Sequence, residues 1–370
     1  MNVNFEKVSL RQYMQLSILC LVGGSVLENI GTNVGVHAWL LYLIAMSLAL
    51  FGFLMLYRLL LLHDFRSIAE ITESCFEKPI GKAITLLYGF FFLFRAKVAG
   101  DGLTKMATDL LMRTASRKLV MFVLLAAVVY AVHKGLGILG KSAEVMLPIL
   151  LICLVPFFLT AFFSGRFHLA DMHLNLIVSW RDFWLNTLTV TIYPYTETLL
   201  FFLFIVKVER NEKNHYFSHL LFSSSIATTL LILVTMGTVI LLGERSTASL
   251  NYPFYNAMQL VQIAGAIDRF DAMAAVVVII SVFYKSALYL YGWTDMVILV
   301  FPKLTRNLVL FVTAIFIFIQ GPSAALTTSK FLASVLPFYI LPLFHIIIPA
   351  VLWIITEIKH RTLQQEAARG

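Results

Sequence analysis

The sequence predicts an all-α membrane protein, and two observations carry this prediction. Hydrophobic residues make up 60% of the 370-residue chain and charged residues only 13%, whereas soluble proteins have roughly 25% charged residues. The apolar residues also gather in long runs of about 20 residues, the length that a helix needs to cross a bilayer. We therefore expect one polytopic membrane domain over residues 1–370. A nucleic-acid partner is not expected, because the basic residues form no cluster on a soluble domain.

Ten apolar runs follow one another along the chain as predicted membrane spans. They cover approximately 12–28, 39–62, 81–99, 119–132, 144–163, 183–206, 218–242, 272–293, 304–320 and 336–358. With a cytoplasmic N-terminus, 16 Lys and Arg residues fall in cytoplasmic segments and 9 fall in outer segments. Because cytoplasmic loops carry the excess of basic residues, both termini are predicted to be cytoplasmic.

The sixth span contains a proline and a carboxylate in the middle of its apolar run, at Pro194 and Glu197. Proline has no N–H to donate, and its ring crowds the carbonyl group one turn earlier, at Val190. The helix is therefore expected to break at Pro194. Broken backbone at membrane depth is tolerated where it lines a cavity walled by protein, so this break predicts a solute-binding site.

The first span contains the sequence Gly23-Gly24-Ser25, which predicts a second break. A glycine pair weakens a helix much as a proline does. Five spans separate the two breaks, so the second half, about 183–358, would be an inverted copy of the first, about 12–163. Paired interruptions in two inverted halves indicate the binding site of a transporter-like fold. The alternative is that the two glycines only allow close helix packing.

The candidate ligand-binding residues lie at these two breaks. The backbone N–H groups of Gly23, Gly24 and Ser25 would suit a small carboxylate if a helix started there. Tyr193, Tyr195 and Thr196 would add hydroxyl groups and an aromatic wall. Glu197 is an ionisable group within a span, which is a functional-site hypothesis by default. Its carboxylate could contact a ligand or a proton, or it could brace the N–H groups of the broken helix.

The eighth span adds Ser281, Tyr284 and Lys285 to the candidate site. Lys285 has two interpretations. Its long side chain could extend to the cytoplasmic membrane surface, or it could face the interior as a fixed cation that replaces a coupling sodium ion. Arg95, in the third span, is expected to extend its guanidinium group toward the membrane surface.

The sequence contains no motif of an enzyme or of a metal site. There is no Gly-x-Ser-x-Gly, no P-loop, no zinc motif and no paired-carboxylate arrangement, so neither catalysis nor a cofactor is predicted. The three cysteines have no Cys-x-x-Cys spacing and predict no disulfide framework. The longest loop, 243–271, contains an apolar helical pattern that predicts either a lid over the outer mouth or a surface helix.

In its ordered set of short motifs the chain resembles the spore germination permease family, the B subunits of nutrient germinant receptors. The matching motifs are Ser9-Leu-Arg-Gln12, Gly23-Gly24-Ser25, Phe76-Glu-Lys-Pro-Ile-Gly-Lys82, Lys134-Gly135, Lys141-Ser-Ala-Glu144, Tyr193-Pro-Tyr-Thr-Glu197, Tyr252-Pro253, Arg269-Phe-Asp271 and Phe283-Tyr-Lys285. Thr196 stands where the family usually has glycine, which would narrow the pocket.

This resemblance implies a fold, a function and partners. The family belongs to the amino acid–polyamine–organocation transporter superfamily, which implies a LeuT-like fold with helices 1 and 6 broken. The protein would lie in the inner spore membrane, bind a small nutrient, and assemble with a large A subunit and a C lipoprotein. An amino acid is the first choice of nutrient, and a nucleoside or a sugar is the alternative. A competing interpretation is a working proton-coupled amino acid transporter, and a third is a structural membrane scaffold.

Overall fold

The computed structural model describes residues 7–27, 31–164, 179–208, 215–261, 270–323 and 338–367. Helices dominate these ranges. They are α1 (Leu10–Leu27), α2 (Ala38–Leu62), α3 (Ile68–Cys75), α4 (Lys78–Met106), α5 (Arg117–Lys134), α6 (Leu136–Phe163), α7 (Trp180–Ile192), α8 (Thr198–Phe204), α9 (Tyr216–Leu242), α10 (Glu244–Ser249), α11 (Pro253–Gln259), α12 (Asp271–Val300), α13 (Arg306–Gln320) and α14 (Ile348–Ala367). Short 3₁₀ turns include Thr32–His37, Tyr195–Glu197 and Ile205–Lys207.

Six helical segments of the described chain are long and apolar enough to cross a bilayer. They are Ala38–Leu62, Lys78–Leu111, Leu136–Phe163, Tyr216–Leu242, Asp271–Val300 and Phe338–Thr362. The helices follow the order of the predicted spans, while the count of ten and the inverted repeat remain predictions. Large apolar side chains such as Phe51 and Ile319 are 70% and 77% exposed on the outer surface. A hydrocarbon environment explains this exposure, because apolar side chains are stable in contact with lipid tails and unfavourable in contact with water.

The interior of the protein is built around α1, α4 and α12. Helix α12 packs most extensively against α4, and α1 lies against α6, α9 and α12. Small residues bring these helices close together, as they commonly do between membrane helices. A Cβ at Gly292 of α12, for example, would lie 3.1 Å from Phe92 of α4 and 3.2 Å from Leu200 of α8. The short helix α8 therefore reaches the same central position as the three long helices.

The prediction of a break at Gly23-Gly24-Ser25 was wrong. Helix α1 passes through these residues and ends at Leu27. A helical glycine costs only about 1 kcal/mol relative to alanine, and here the missing side chain lets α12 approach. A Cβ at Gly23 would lie 2.6 Å from the backbone carbonyl carbon of Ser281. Close helix packing is therefore the correct interpretation of this glycine, and residues 28–30 lie outside the described chain.

The break in the sixth span is present where the sequence predicted it. Helix α7 ends at Ile192, and α8 begins at Thr198 after a 3₁₀ turn over Tyr195–Glu197. The bond between Tyr193 and Pro194 is cis. The amide of Glu197 donates to the carbonyl of Pro194 at 3.0 Å, so the turn satisfies one of the polar groups that the break releases.

Part of the helical segment predicted in the long loop forms α11, and its later residues, 262–269, lie outside the described chain. We call α10 and α11 together the cap. The ring of Phe254 meets that of Phe157 of α6 edge to face, with centroids 5.2 Å apart. The hydroxyl of Tyr255 donates to Asp271 of α12 at 2.9 Å, and that of Tyr252 donates to Asp109 at 3.2 Å. The cap thus packs onto α6 and α12 through the buried side chains of Phe254 and Tyr255, and the half-buried Tyr252 contacts the segment that follows α4.

The opposite end of the interior is closed by backbone and aromatic contacts. The amide of Val8 donates to the carbonyl of Lys207 at 3.1 Å, where the start of the chain meets the end of α8. One turn into α1, the hydroxyl groups of Tyr13 and Tyr216 lie 2.6 Å apart. These contacts join the segment before α1 to the segment after α8, and α1 to α9.

Candidate functional site

Three charged side chains meet beside the break of the sixth span. Glu197 stands directly before α8 and accepts from the guanidinium group of Arg95, on α4. Its second carboxylate oxygen lies 2.8 Å from Nζ of Lys285, on α12. All three side chains are at most 1% exposed, so the whole group is shielded from solvent. We call Arg95, Glu197 and Lys285 the charge cluster.

Tyr193 joins the charge cluster from the break itself. Its hydroxyl accepts from Nζ of Lys285 at 2.6 Å. The same Nζ lies 4.3 Å from the centre of the Tyr193 ring, and the guanidinium carbon of Arg95 lies 4.8 Å from it. A cation over an aromatic face is stabilised by about 2 kcal/mol or more when it is desolvated. Tyr193 therefore contacts both cations, through its ring and, for Lys285, through its oxygen as well.

Gly24 of α1 completes the surroundings of Lys285. A Cβ at this position would overlap Nζ of Lys285 and would lie 2.7 Å from the Tyr193 hydroxyl. Glycine leaves room here for the ends of these two side chains, whereas its backbone conformation is ordinary helix. The ammonium group of Lys285 fills the space that a side chain at position 24 would need.

The expected carboxylate site on free N–H groups of Gly23, Gly24 and Ser25 is not formed. These residues lie inside α1, where backbone N–H groups bond to carbonyls one turn earlier. The hydroxyl of Ser25 also turns back and donates to the carbonyl of Leu21 at 3.1 Å. Any role of Gly23, Gly24 and Ser25 in binding remains a prediction.

The hydroxyl groups of three further candidate residues have hydrogen-bond partners outside the charge cluster. Tyr195 lies 2.8 Å from Thr228, hydroxyl to hydroxyl, and Tyr284 lies 2.7 Å from Ser142. Ser281 donates to the carbonyl of Val277 at 2.7 Å and faces Gly23. The bonds of Tyr195 and Tyr284 join separate segments of the chain, and that of Ser281 lies within α12. The role of Ser281, Tyr195 and Tyr284 in binding remains a prediction. The side chain of Thr196 lies outside the described structure.

The sequence analysis assigned Arg95 to the membrane surface, and this was wrong. The side chain points inward, pairs with Glu197 and lies 5.5 Å from the centre of the Tyr289 ring. A signal was available in the sequence, because Arg95 lies inside the apolar third span, 81–99. The rule that singled out Glu197, that an ionisable group inside a span marks a functional site, applies equally to Arg95.

Cys20 of α1 lies next to the charge cluster and was also not predicted. Its thiol is 0% exposed and within electrostatic range of Glu197, Lys285 and Arg95. Sequence offered no signal for it, because an apolar span is the usual place for a buried cysteine. Cys20 shows that α1 faces the charge cluster along at least one turn, from position 20 to position 24.

The charge cluster carries one positive charge more than it carries negative charge, since two cations share one carboxylate. A group of three or more His, Cys, Asp or Glu side chains that could hold a metal ion is not found within the described residues. Chemically the cluster brings a carboxylate, two cations, a phenol and an aromatic ring together in one enclosed place.

A family model described as "Spore germination protein" matches residues 7–326 of the chain. Among curated proteins, the chain is 21% identical over 368 residues to spore germination protein KB of Bacillus subtilis (strain 168), covering 98% of both chains. Among solved structures, it is similar to Mhp1, a nucleobase-cation-symport-1 family transporter in a closed conformation with bromovinylhydantoin bound. The TM-score is 0.66 at 13% identity, over 90% of this chain and 76% of that chain.

Family and fold together define the class of the molecule. Its long apolar helices and its permease family are those of a multi-pass integral membrane protein. Its fold is that of a transporter and not of an enzyme. The similarity to Mhp1 concerns the fold alone, because the identity is 13%.

Proposed function

Because the chain belongs to the spore germination protein family, we propose that it is the membrane subunit of a nutrient receptor that starts spore germination. In this role it binds a small nutrient in the membrane and passes the binding event to its partners. The observation that carries the proposal is the charge cluster beside the break of the sixth span, where Arg95, Glu197 and Lys285 are at most 1% exposed. Buried charges in a membrane are expensive and mark functional sites.

The nutrient we propose is an amino acid, with a nucleoside or a sugar as the alternative. An amino acid carries one ammonium and one carboxylate group, and the cluster offers partners for both. Glu197 and the face of Tyr193 suit the ammonium, and Lys285 or Arg95 suits the carboxylate. This assignment replaces the backbone N–H groups of α1 by side chains as the partners of the ligand carboxylate.

We further propose that the protein lies in the inner membrane of the spore and assembles with an A subunit and a C lipoprotein. The support is the family membership and the relative named spore germination protein KB. Both termini are proposed to be cytoplasmic, from the 16-to-9 distribution of basic residues. Adjacent genes for the A and C subunits would support this assembly.

A second candidate function is proton-coupled transport of an amino acid. The observation in its favour is the transporter fold, because the similar structure, Mhp1, is a transporter. Uptake separates the two functions. Vesicles that contain only this protein should accumulate radiolabelled amino acid if it is a transporter, and should show no accumulation above empty vesicles if it is a receptor subunit.

The receptor proposal is tested by germination itself. Spores that lack the gene should lose the response to at least one single nutrient and keep the response to others. Restoring the gene should restore that response, whereas the Glu197→Ala variant at normal protein level should not. The matched control is Glu357→Gln, which removes a partly exposed carboxylate on α14 and should behave as wild type. Spores that respond normally to every nutrient without the gene would refute the proposal.

A further inference from the structure

The surroundings of the Lys285 ammonium group are those of a binding site for a primary ammonium ion. Nζ lies 2.8 Å from a carboxylate oxygen of Glu197, donates to the Tyr193 hydroxyl at 2.6 Å, and stands 4.3 Å from the centre of the Tyr193 ring. A carboxylate, an acceptor oxygen and an aromatic face are what recognises an organic ammonium group. We call the position defined by Glu197, Tyr193 and Gly24 the ammonium box.

The ammonium box is filled by the protein itself. Lys285 is 1% exposed, and its Nζ takes up the space over Gly24 that any added atom would need. A ligand ammonium group can therefore reach Glu197 only if Nζ of Lys285 leaves. Lys285 is thus a tethered competitor of the ligand.

We propose that a zwitterionic ligand inserts between Lys285 and Glu197, its ammonium group entering the ammonium box and its carboxylate pairing with the displaced Lys285. This proposal rests on the proposed function, whose ligand class it makes more specific. In the resting protein Lys285 holds the place of the ligand amino group. The free amino acid then acts as the signal, because it replaces the contact between Lys285 and Glu197 by two contacts of its own, one to each residue.

Charge alternation favours a zwitterion over a simple ion. The order Glu197, ligand ammonium, ligand carboxylate, Lys285 places opposite charges next to each other at every step. An amine without a carboxylate would leave Lys285 displaced and unpaired, and a carboxylate without an amine would leave Glu197 as it is. Burying an unpaired charge costs far more than burying a paired one, so each half of the ligand alone should bind poorly.

A tether explains why a simple amine does not compete with Lys285. A group attached through a short flexible chain has an effective local concentration on the order of mM or more. A free amine at a concentration well below this value therefore has little effect on the wild-type ammonium box. Removing the tethered ammonium group should open the box to free amines.

The test is chemical replacement of the missing group in the Lys285→Ala variant. Alanine keeps Cβ and removes three carbons and the ammonium group, which together are the size of the n-propylammonium ion. We expect propylammonium to raise the thermal unfolding midpoint of the purified Lys285→Ala protein in a saturable manner. The wild-type midpoint should not change at the same concentrations.

Three controls make the result specific. Propionamide has the shape of propylammonium without its charge and should cause no shift. The Lys285→Met variant keeps a filled stem, so propylammonium should not stabilise it. Adding Glu197→Gln to Lys285→Ala should abolish the shift, because an amide replaces the carboxylate. No shift with propylammonium, or an equal shift with propionamide, would overturn the ammonium box.

If the Lys285→Ala protein does not accumulate in cells, the ammonium box can still be tested during its production. Neutral propylamine crosses membranes, so the variant can be produced in cells grown with and without it. Accumulation that depends on propylamine supports the ammonium box, and failure to accumulate in both media counts against it.

Insertion of a zwitterion is tested on the wild-type protein. Among single amino acids, at least one should raise the unfolding midpoint, whereas the matching amine and the matching carboxylic acid should not. If the matching amine or the matching carboxylic acid raises the midpoint as much as the amino acid does, the proposal that a zwitterion inserts is wrong. The two proposals fail in different experiments. The receptor proposal fails if spores without the gene germinate normally, whereas the ammonium box is tested by the unfolding midpoint of the purified protein.

Discussion

At the residue scale, the charge cluster holds three ionised groups out of solvent. Desolvating such groups costs several kcal/mol for each ion, and the cost is offset only when they pair closely. Glu197 offsets it for both cations at once, because one carboxylate oxygen contacts Arg95 and the other lies 2.8 Å from Lys285. The carboxylate is therefore the residue on which the other two depend.

Replacing Glu197 by Gln should destabilise the protein by about 3–5 kcal/mol, the usual effect of breaking a buried ion pair. The two cations would then face each other without a counter-charge. The thermal unfolding midpoint in detergent measures the effect. Glu357→Gln breaks the Arg58–Glu357 pair, in which Arg58 is 53% exposed, and should cost less than about 1 kcal/mol. Equal shifts in the two variants would contradict the central role of Glu197.

Two glycines that differ only in their surroundings give a second test. Gly23→Ala should lower the unfolding midpoint, because its Cβ would meet the backbone of Ser281 at 2.6 Å and force α1 away from α12. Gly52→Ala, in α2, should leave the midpoint unchanged or raise it, since no atom of the described chain lies within 4 Å of its Cβ and alanine favours helix by about 1 kcal/mol. A neutral Gly23→Ala variant would show that α1 and α12 pack more loosely than described.

Arg95 shows where reasoning from single residues fails. Snorkelling to the surface and pairing in the interior are both physically acceptable for a long cationic side chain. Which of the two positions the Arg95 side chain takes depends on whether a carboxylate is present in the protein interior. That carboxylate, Glu197, is 102 residues away in the chain, and the proximity of α4 and α8 is not encoded in the pattern of either segment.

At the scale of elements, the break predicted at Pro194 is present and the break predicted at the glycine pair of α1 is not, and the difference has a physical reason. Proline removes a hydrogen bond and clashes with the preceding turn, so its effect is local and can be predicted from sequence. Glycine only lowers the preference for helix by about 1 kcal/mol, and packing against α12 outweighs that cost. A proline break can therefore be read from the sequence, whereas a glycine pair must be read together with its neighbours.

The cap helix α11 depends on hydrogen bonds from tyrosine to aspartate. Burial raises the pKa of the Tyr252 hydroxyl, so this group stays protonated and donates to Asp109 over the physiological pH range. Tyr255→Phe removes the donor to Asp271, and a hydrogen bond to a charged group contributes about 1.5–3 kcal/mol.

We expect the amides of Pro253–Gln259 to exchange hydrogen roughly 10- to 100-fold faster in the Tyr255→Phe variant, if the cap opens as a unit. Hydrogen exchange measured by mass spectrometry on peptides of the cap gives the comparison. Tyr130→Phe is the control, because Tyr130 is 64% exposed on α5. Unchanged exchange in the cap would show that the aromatic contacts of Phe254 hold it without the hydrogen bond.

At the scale of the whole molecule, composition and apolar periodicity predicted the class and the order of the helices. They could not predict which charges meet, because α4, α8 and α12 come together from distant parts of the chain. The helix bounds agree with the predicted spans within several residues for most segments; for example, the fourth predicted span, 119–132, lies inside α5, Arg117–Lys134. The orientation in the membrane depends on basic residues in loops and remains to be measured.

Reporter fusions measure that orientation. Helices α4, α5 and α6 lie between Arg66 and Gly165, and three crossings place the two positions on opposite sides. We expect a fusion after Arg66 to report the cytoplasm and a fusion after Gly165 to report the outside, from the distribution of basic residues. Reports from the same side would mean that one of the three helices does not cross the bilayer.

Chemical labelling of Cys20 can report the movement of the helices around the charge cluster. Because its thiol is 0% exposed beside the charge cluster, a membrane-permeant maleimide can reach it only while the helices around it are parted. The Cys20→Ser variant keeps Cys75 and Cys153, so it measures the labelling that does not come from Cys20. The difference in labelling rate between the two proteins, followed by mass spectrometry as nutrients are added, would time the opening around Cys20.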